Sequence, residues 1–371
     1  MADDLKLNCL AIGSLPHTNL DDAMAVVKEN FKSIPFWPQL PKISKNEDMI
    51  VQFLENMPSF FSDEKSGKTY LETESDKFFS DIEQFFADYE EIISYTSLKN
   101  GEEPHKRWRD LPDTIEKYAI NYSLSFPKFI EIVKETKPSY AKGQIVGPFT
   151  LSTTLVDKTG KCAIYDETLR EIIVKTLSLK ALWQIKQIKS VSKDTIPIIF
   201  IDEPSISQLG TSAFITISQE DVISMLKEIS DLIKANGAMS AIHCCGKCDW
   251  IIPIKAGVDI INLDAYAYAQ NLSLFNNYLE KYFVQGRKIA WGVVPTLNAD
   301  LLEKADLDKM IKVFEKAVKY LTEKGIDEKI VIENSLITPS CGAGSLSKDL
   351  AIKAMNLTRE LSEILKERYK I

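Results

Sequence analysis

The sequence IPIIFIDEP, residues 196–204, contains the pattern on which the fold prediction rests. Six consecutive apolar or proline residues predict a buried strand, and the acidic pair Asp202-Glu203 before Pro204 predicts where that strand ends. An amphipathic stretch follows at residues 219–236 and has the periodicity of a helix. This part of the chain therefore predicts one strand followed by one helix.

The same unit recurs along most of the chain. Helical stretches such as residues 166–189, 307–324 and 347–368 separate most of eight apolar, β-branched stretches. The predicted strands are residues 6–13, 33–40, 141–147, 196–201, 239–243, 258–263, 288–293 and 329–337. Repeated strand–helix units predict an α/β fold, a (β/α)8 TIM barrel. A doubly wound open sheet is the alternative, but residues 12–16 contain one glycine and not a Gly-rich phosphate loop.

A long segment, residues 41–140, separates the second and third predicted strands. It is acidic and aromatic, with a mostly helical pattern, for instance at residues 70–95, and residues 99–104 predict an exposed loop within it. An insertion after a strand lies over the top face of a barrel and can act as a lid. We expect a single domain over residues 1–371 that includes this helical insertion.

Composition limits the classes of function. The chain of 371 residues has a net charge of −8, which argues against a nucleic-acid partner because phosphate binding needs clustered basic residues. The N-terminus lacks a signal-peptide pattern, and no apolar run approaches the roughly 20 residues that span a bilayer. We therefore expect a cytoplasmic protein without a membrane partner. In that reducing compartment, clustered cysteines favour a metal or redox role over disulfides.

One histidine lies among clustered cysteines in the sequence IHCCGKC, residues 242–248. His243 and Cys245 are two positions apart at a predicted strand end, so their side chains point to the same side and can share one ion. Cys341 follows the last predicted strand and precedes Gly-Ala-Gly, which leaves room for a third ligand. Imidazole and thiolate suit Zn²⁺, and three protein ligands leave the open position of a catalytic site. A redox pair of Cys245 with Cys248 and incidental buried cysteines are the alternatives.

Other candidate residues follow predicted strands, where a barrel has its chemistry. Asp202 and Glu203 can bind a substrate ammonium or transfer a proton, although one of them can instead cap the following turn. Asp264 is a candidate fourth zinc ligand or partner of His243, with a helix cap as the alternative. His17 is expected at an exposed position near the same rim, as a catalytic candidate or an ordinary surface residue.

Three further residues are less specific. Trp37 and Trp291 end predicted strands, where they either line a substrate pocket or pack in the core. His105 lies in a polar stretch and is expected to be solvated surface.

Taken in order, these motifs resemble the methionine synthase / uroporphyrinogen decarboxylase superfamily over nearly the whole chain. The nearest likeness is to the catalytic barrel of cobalamin-independent methionine synthase and to the methylcobalamin:coenzyme M methyltransferases. IGSLP at residues 12–16 is similar to the family's opening Ile-Gly-Ser-Phe-Pro, which contacts homocysteine, and GPFT at residues 147–150 looks like its Gly-Pro-Val-Thr. The resemblance implies that the substrate is bound by Ile12, Gly13 and Ser14, that Asp202 holds its amino group, and that zinc is bound by His243, Cys245 and Cys341.

The chain also departs from the methionine synthase pattern. Asp264 follows the strand on which the synthase has an additional glutamate ligand, and residues 292–296 lack its proton-donating histidine. Ser207 and Gln208 replace an arginine or glutamate expected there, which weakens the case for folate. By contrast, the sequence HCCG and residues 34–38 look more like the corrinoid-dependent methyltransferases.

The resemblance implies a zinc-dependent methyltransferase that activates a small-molecule thiol, homocysteine or a coenzyme M-like thiol, as a zinc thiolate that attacks a methyl group. The expected donor is a methylcorrinoid, free or carried by a corrinoid protein, with methyl-folate as the alternative. A non-catalytic zinc or thiol-sensing barrel is another alternative. A uroporphyrinogen decarboxylase-like enzyme is disfavoured because the arginine-rich N-terminal substrate motif is missing.

Overall fold

The computed structural model of the protein describes residues 5–63, 68–96 and 108–371. Its first two strands, β1 (Phe60–Asp63) and β2 (Lys68–Leu71), pair as an antiparallel hairpin. The next six form one parallel sheet in chain order: β3 (Tyr140–Val146), β4 (Ile196–Asp202), β5 (Met239–Cys244), β6 (Ile260–Asp264), β7 (Lys288–Val294) and β8 (Ser335–Pro339). The predicted loop at residues 99–104 and the predicted surface position of His105 lie outside the described residues.

The described chain also contains α-helices, several of which connect strands of the parallel sheet and pack against it. They are α1 (Leu20–Asn30), α2 (Asp76–Thr96), α3 (Ser125–Thr136), α4 (Pro148–Thr154), α5 (Glu167–Val191), α6 (Gln219–Ala235), α7 (Ile251–Ala256), α8 (Ala265–Leu272), α9 (Asn276–Val284), α10 (Ala299–Glu303), α11 (Leu307–Thr322), α12 (Glu328–Glu333) and α13 (Lys348–Tyr369). Side-chain caps start many of them, for example the capping box of Ser218 and Asp221 before α6. Among the described helices, none combines the length and apolar composition needed to cross a bilayer.

Both faces of the parallel sheet are covered by buried apolar side chains. Alternate residues such as Ile198 and Phe200 of β4 belong to a small cluster on the inner face. Their neighbours Ile199 and Ile201 belong to a larger cluster that includes the surrounding helices. This double burial explains why the strands are almost uniformly apolar, as in other parallel sheets covered by helices. The fold is therefore a mixed α/β fold built on a parallel sheet.

Two segments without regular strand structure lie between the edges of the sheet. The backbone N–H of Leu10 donates to the Ile337 carbonyl of β8, at 3.0 Å. The backbone N–H of Gln39 donates to the Gly13 carbonyl, and that of Trp37 to the Lys142 carbonyl of β3, each at 2.9 Å. These contacts are isolated parallel bridges, so the sheet has six strands where the sequence predicted eight.

Local backbone features explain why three predicted strands differ from the structure. In the first, residues 6–13, Leu7 has a φ of 55°, which interrupts an extended backbone. In the second, residues 33–40, Pro35 and Pro38 lack the N–H that a ladder requires. The last, residues 329–337, was predicted to start too early: Asp327 caps α12, and β8 begins only at Ser335.

The segment between residue 40 and β3 corresponds to the predicted insertion at residues 41–140. It contains the β1–β2 hairpin, α2, α3 and short 3-10 helices at Lys45–Glu47, Val51–Phe53 and Asp113–Tyr118. Its apolar residues Phe53, Phe85 and Phe129 belong to the same buried cluster as the helices around the sheet. Residues 47–49 reach the carboxyl end of the sheet, where they line a cavity.

Candidate metal centre

The carboxyl ends of β5 and β8 bring together three side chains that can bind a metal. The ligand atoms of His243, Cys245 and Cys341 all lie within 4.8 Å of one another. His243 is the penultimate residue of β5, Cys245 follows that strand directly, and Cys341 comes two residues after β8. The imidazole is buried and the two thiols are half-buried. Positions that are far apart in the sequence thus meet at one edge of the sheet.

A hydrogen-bond network orients the His243 ring. Its Nδ1 bonds to Oδ1 of Asn262, the residue directly across from it on β6. The Asn262 amide is itself fixed, because its Nδ2 donates to the Ala290 carbonyl at 2.8 Å and to Thr338 Oγ1 at 2.7 Å. Nδ1 therefore carries the proton, and Nε2 has its lone pair free. Nε2 is buried and has no hydrogen bond within the described residues, as expected for a ligand nitrogen.

The two cysteines influence each other's ionisation. The Cys341 thiol and the His243 ring hold the pKa of Cys245 well below its usual range by stabilising its thiolate. The pKa of Cys341 is raised, because it hydrogen bonds to Cys245 and burial disfavours a second charge. Two thiolates at this spacing need a nearby positive charge. The nitrogen and sulfur donors, with one orphaned imidazole nitrogen, fit Zn²⁺.

Glycines after Cys341 allow a close approach to the segment that carries Ser14. A Cβ at Gly342 would lie 2.0 Å from Ser14 Oγ, and one at Gly344 would lie 3.0 Å from Ser14 Cβ. The Gly344 N–H donates to Ser14 Oγ at 3.3 Å. The Gly-Ala-Gly sequence therefore lets the loop that carries Cys341 pack directly against Ser14.

Asp264 lies outside the cluster of three ligands. Its Oδ1 accepts hydrogen bonds from the backbone N–H groups of Tyr266, at 2.9 Å, and Ala267, at 3.4 Å. The carboxylate thus caps α8, which was the alternative prediction for this residue. The predicted partnership with His243 belongs instead to Asn262. The register of β5 against β6 decides between the two residues, and the sequence does not supply that register.

A cavity of about 330 Å³ opens next to the cluster, a volume that suits a small ligand. Its lining includes the three candidate metal ligands and the predicted residues Ile12, Ser14 and Asp202. It also includes Gln39, Glu47, Asp48 and Met49, which the sequence did not predict because the insertion and the bridging segments bring them there. Leu297, which follows β7, is a further lining residue.

Asp202 contributes an unpaired carboxylate to this cavity. It lies directly across from His243 in the β4–β5 register, and its Oδ1 is buried without a hydrogen bond in the described structure. Burial raises the pKa of Asp202, and the nearby Lys142 ammonium partly opposes this effect. Lys142 is itself buried, and its Nζ donates to Gln144 Oε1 at 2.9 Å. Asp202 can therefore accept hydrogen bonds from a cationic group that enters the cavity.

Glu203 points away from the cavity, as expected for a neighbour of Asp202 on an extended chain. Its carboxylate accepts hydrogen bonds from the backbone N–H groups of Phe149, at 2.8 Å, and Thr150, at 2.9 Å. Thr150 Oγ1 donates a third, at 2.6 Å. Burial raises the pKa of Glu203 to about 7. The contacts place Glu203 at the start of α4, which matches the capping alternative, and its catalytic role stays a prediction.

The remaining predicted site residues pack in the interior. His17 was expected to be exposed but is only 1% exposed, and burial lowers its pKa. The Trp37 indole N–H donates to Ser123 and Ser125, and that of Trp291 to Ser335, at 2.9 to 3.0 Å. Both tryptophans lie in the cluster that faces the helices, because burying a large ring there outweighs exposure at the rim. Neither they nor His17 are among the residues that line the cavity.

Cys244 and Cys248 are also separate from the three ligands. Both are buried, and the pKa of Cys248 is raised by burial and by its neighbour Cys244. Cys248 thus lies next to Cys244, whereas the alternative of a redox pair required it to lie next to Cys245.

Replacing Asn262 with alanine should weaken zinc binding by about 10- to 100-fold, because His243 would lose the acceptor that fixes its tautomer and orientation. Competition with a chromophoric chelator measures this change. Asn262→Asp, which keeps an acceptor for Nδ1, should recover much of the affinity, and Asn298→Ala, at an exposed helix cap, is the control. An unchanged zinc affinity in Asn262→Ala would contradict the assignment.

Two known proteins are similar to about two thirds of the chain. No model of a known protein family matches the chain. The solved structure of a B12-independent methionine synthase from Shewanella sp. W3-18-1 in complex with selenomethionine has a TM-score of 0.47, with 19% identity, over 67% of this chain and 68% of that chain. Methionine synthase from Methanocaldococcus jannaschii is 25% identical over 238 residues, which are 63% of this chain and 68% of the relative. This sequence match supports a relationship to a methionine synthase-like superfamily.

Proposed function

We propose that the protein is a zinc-dependent thiol S-methyltransferase. The observation that carries the proposal is the cluster of His243, Cys245 and Cys341 at a cavity of small-ligand size. The relationship to methionine synthase supports methyl transfer to a thiol. A cluster of three ligands also leaves one coordination position for a substrate, as in other catalytic zinc sites.

Zinc bound by these three residues supplies a positive charge that favours a thiolate at neutral pH, whereas a free thiol has a pKa near ~8.5. The protein's own groups prepare this site. Asn262 holds the His243 ring so that Nε2 faces the two thiols. The contact between Gly342 and Ser14 fixes the loop that carries Cys341.

Asp202 would bind the ammonium group of an amino-acid thiol. Its Oδ1 lacks a partner and it lines the same cavity as Cys245 and Cys341. This favours homocysteine as the acceptor, with a coenzyme M-like thiol as the second candidate. The methyl donor would be a methylcorrinoid, free or on a partner protein, or else a methyl-folate.

We also propose that the two bridging segments complete an eight-membered barrel around this site. Parallel hydrogen bonds connect residue 10 to β8, residue 13 to residue 39, and residue 37 to β3. A continuous ring would hold the ends of β5 and β8 at a fixed distance, which a metal site requires.

The test uses zinc-loaded protein, L-homocysteine and methylcobalamin, with a methyl-folate in a parallel reaction. We expect methionine from at least one donor. X-ray absorption at the zinc edge should show one additional sulfur ligand when the thiol is added. Coordination that stays unchanged with every thiol would overturn the proposal. Thiol binding without product from either donor would instead favour a thiol-sensing barrel.

A further inference from the structure

The cavity wall contains a glutamine amide that the proposed function does not use. Gln39 is only 4% exposed and lines the cavity, yet its Nε2 has no hydrogen-bond partner among the described residues. Its backbone is fixed on both sides: the N–H donates to the Gly13 carbonyl and the carbonyl accepts from the Leu15 N–H, both at 2.9 Å. These two hydrogen bonds hold the Gln39 backbone in place, so the position of its Cα is fixed.

The Gln39 amide packs beside Gly13. A Cβ at Gly13 would lie 3.0 Å from Gln39 Oε1 and 3.1 Å from Gln144 Oε1, so both amide oxygens lie against this glycine. Gln144 is already engaged, because its Nε2 donates to the Trp37 carbonyl and its Oε1 accepts from Lys142. The Gln39 amide thus has its oxygen beside Gly13, and its nitrogen is left in the cavity wall without an acceptor among the described residues.

A buried donor without an acceptor destabilises the fold, so such donors normally have a partner. Gln39 and Asp202 lie on opposite sides of β3, since residue 36 pairs with β3 and Asp202 ends β4, which also pairs with β3. The cavity thus has a carboxylate on one side of β3 and an amide donor on the other. These two groups suit a ligand with a cationic group and an acceptor group.

We propose that Gln39 determines substrate specificity by donating a hydrogen bond from Nε2 to an oxyanion of the thiol substrate. This inference rests on the proposed function of the cavity as a thiol site. The oxyanion can be the carboxylate of an amino-acid thiol or the sulfonate of a thiol sulfonate. The unpaired Asp202 beside it favours the amino-acid thiol, which carries an ammonium as well.

The experiment measures thiol binding to zinc-loaded protein by calorimetry, in the wild type and in Gln39→Met and Gln39→Glu. The probes are L-homocysteine, 3-aminopropane-1-thiol, which lacks only the carboxylate, and 2-mercaptoethanesulfonate. Loss of a hydrogen bond to a charged group should weaken homocysteine binding about tenfold to a hundredfold in Gln39→Met. Gln39→Glu should weaken it further through like-charge repulsion. Binding of 3-aminopropane-1-thiol should be unchanged in Gln39→Met, which also shows that the variant site is intact.

Gln270→Met is the matched control, because Gln270 is an exposed glutamine of α8. Equal weakening of homocysteine and 3-aminopropane-1-thiol, or no weakening of any of the three probes, would overturn the role of Gln39. A wild-type protein whose zinc edge gains no sulfur from any probe would overturn the proposed function itself. Selective weakening of the sulfonate alone would assign the oxyanion to that source and support the donor role of Gln39.

Discussion

Replacing Cys341 with alanine should abolish stoichiometric zinc binding and methyl transfer together. Cys341 is one of three candidate ligands, and the other two, His243 and Cys245, come from the same strand end. Without Cys341 the ion would lose the ligand that connects β5 to β8. The loss of affinity should exceed the roughly 10- to 100-fold that removal of an outer hydrogen-bond partner costs.

The measurement is zinc per chain after dialysis against a weak chelator, followed by the methyl-transfer assay. Cys244→Ala is the sharpest control, because Cys244 is adjacent to Cys245 but buried in the cluster that faces the helices. Cys162→Ala is a second control, at a half-buried position before α5. Both should retain one zinc per chain. A Cys341→Ala protein with one tightly bound zinc would rule out the three-ligand site.

The clustering of the three candidate ligands could be predicted from the sequence, because it depends on local rules. Two residues two positions apart at a strand end share a side, and this assigned His243 and Cys245 while excluding Cys244. Parallel strands bring their carboxyl ends to one edge, and this brought Cys341 into the same group. Such rules require only the approximate position of each strand.

The groups that orient and surround the ligands could not be predicted in this way. The sequence suggested Asp264 as the partner of His243, whereas the structure has Asn262 in that position. Strand register decides between them, and register depends on the whole sheet. Gln39 reaches the cavity because Gly13 permits close approach of a neighbouring segment that forms only isolated bridges. Burial of His17 and the core positions of both tryptophans depend on how helices cover the sheet, which periodicity alone does not determine.

Gly147 and Glu203 should show strong energetic coupling in the free energy of unfolding. A Cβ at Gly147 would lie 2.0 Å from Glu203 Cδ, so Gly147→Ala alone should destabilise the protein by about 1–3 kcal/mol through overpacking. Glu203→Ala alone should cost about 3–5 kcal/mol, because it leaves two N–H groups and one hydroxyl at the start of α4 without their acceptor. In the double variant the overlap disappears, so the cost should be well below the sum of the two.

Urea unfolding of the four proteins measures the coupling, with Glu280→Ala as an exposed glutamate control. The backbone of Gly147, with φ −73° and ψ 148°, is one that alanine adopts without strain. Any loss of stability in Gly147→Ala therefore comes from overlap of the new Cβ with the Glu203 side chain. Additive costs in the double variant would mean that Glu203 does not occupy the space beside Gly147.

The same variants should differ in their dependence on pH. Burial raises the pKa of Glu203 from 4.5 to about 7, so between these values the folded protein binds a proton that the unfolded chain releases. The free energy of unfolding contributed by this group is therefore fully present below pH 4.5 and is lost as the pH rises towards 7. Glu203→Ala should lack this component, so the wild type should lose more stability than the variant over that interval. Parallel pH profiles for the two proteins would show that Glu203 stays ionised in the fold, held at the start of α4 by its three donors alone.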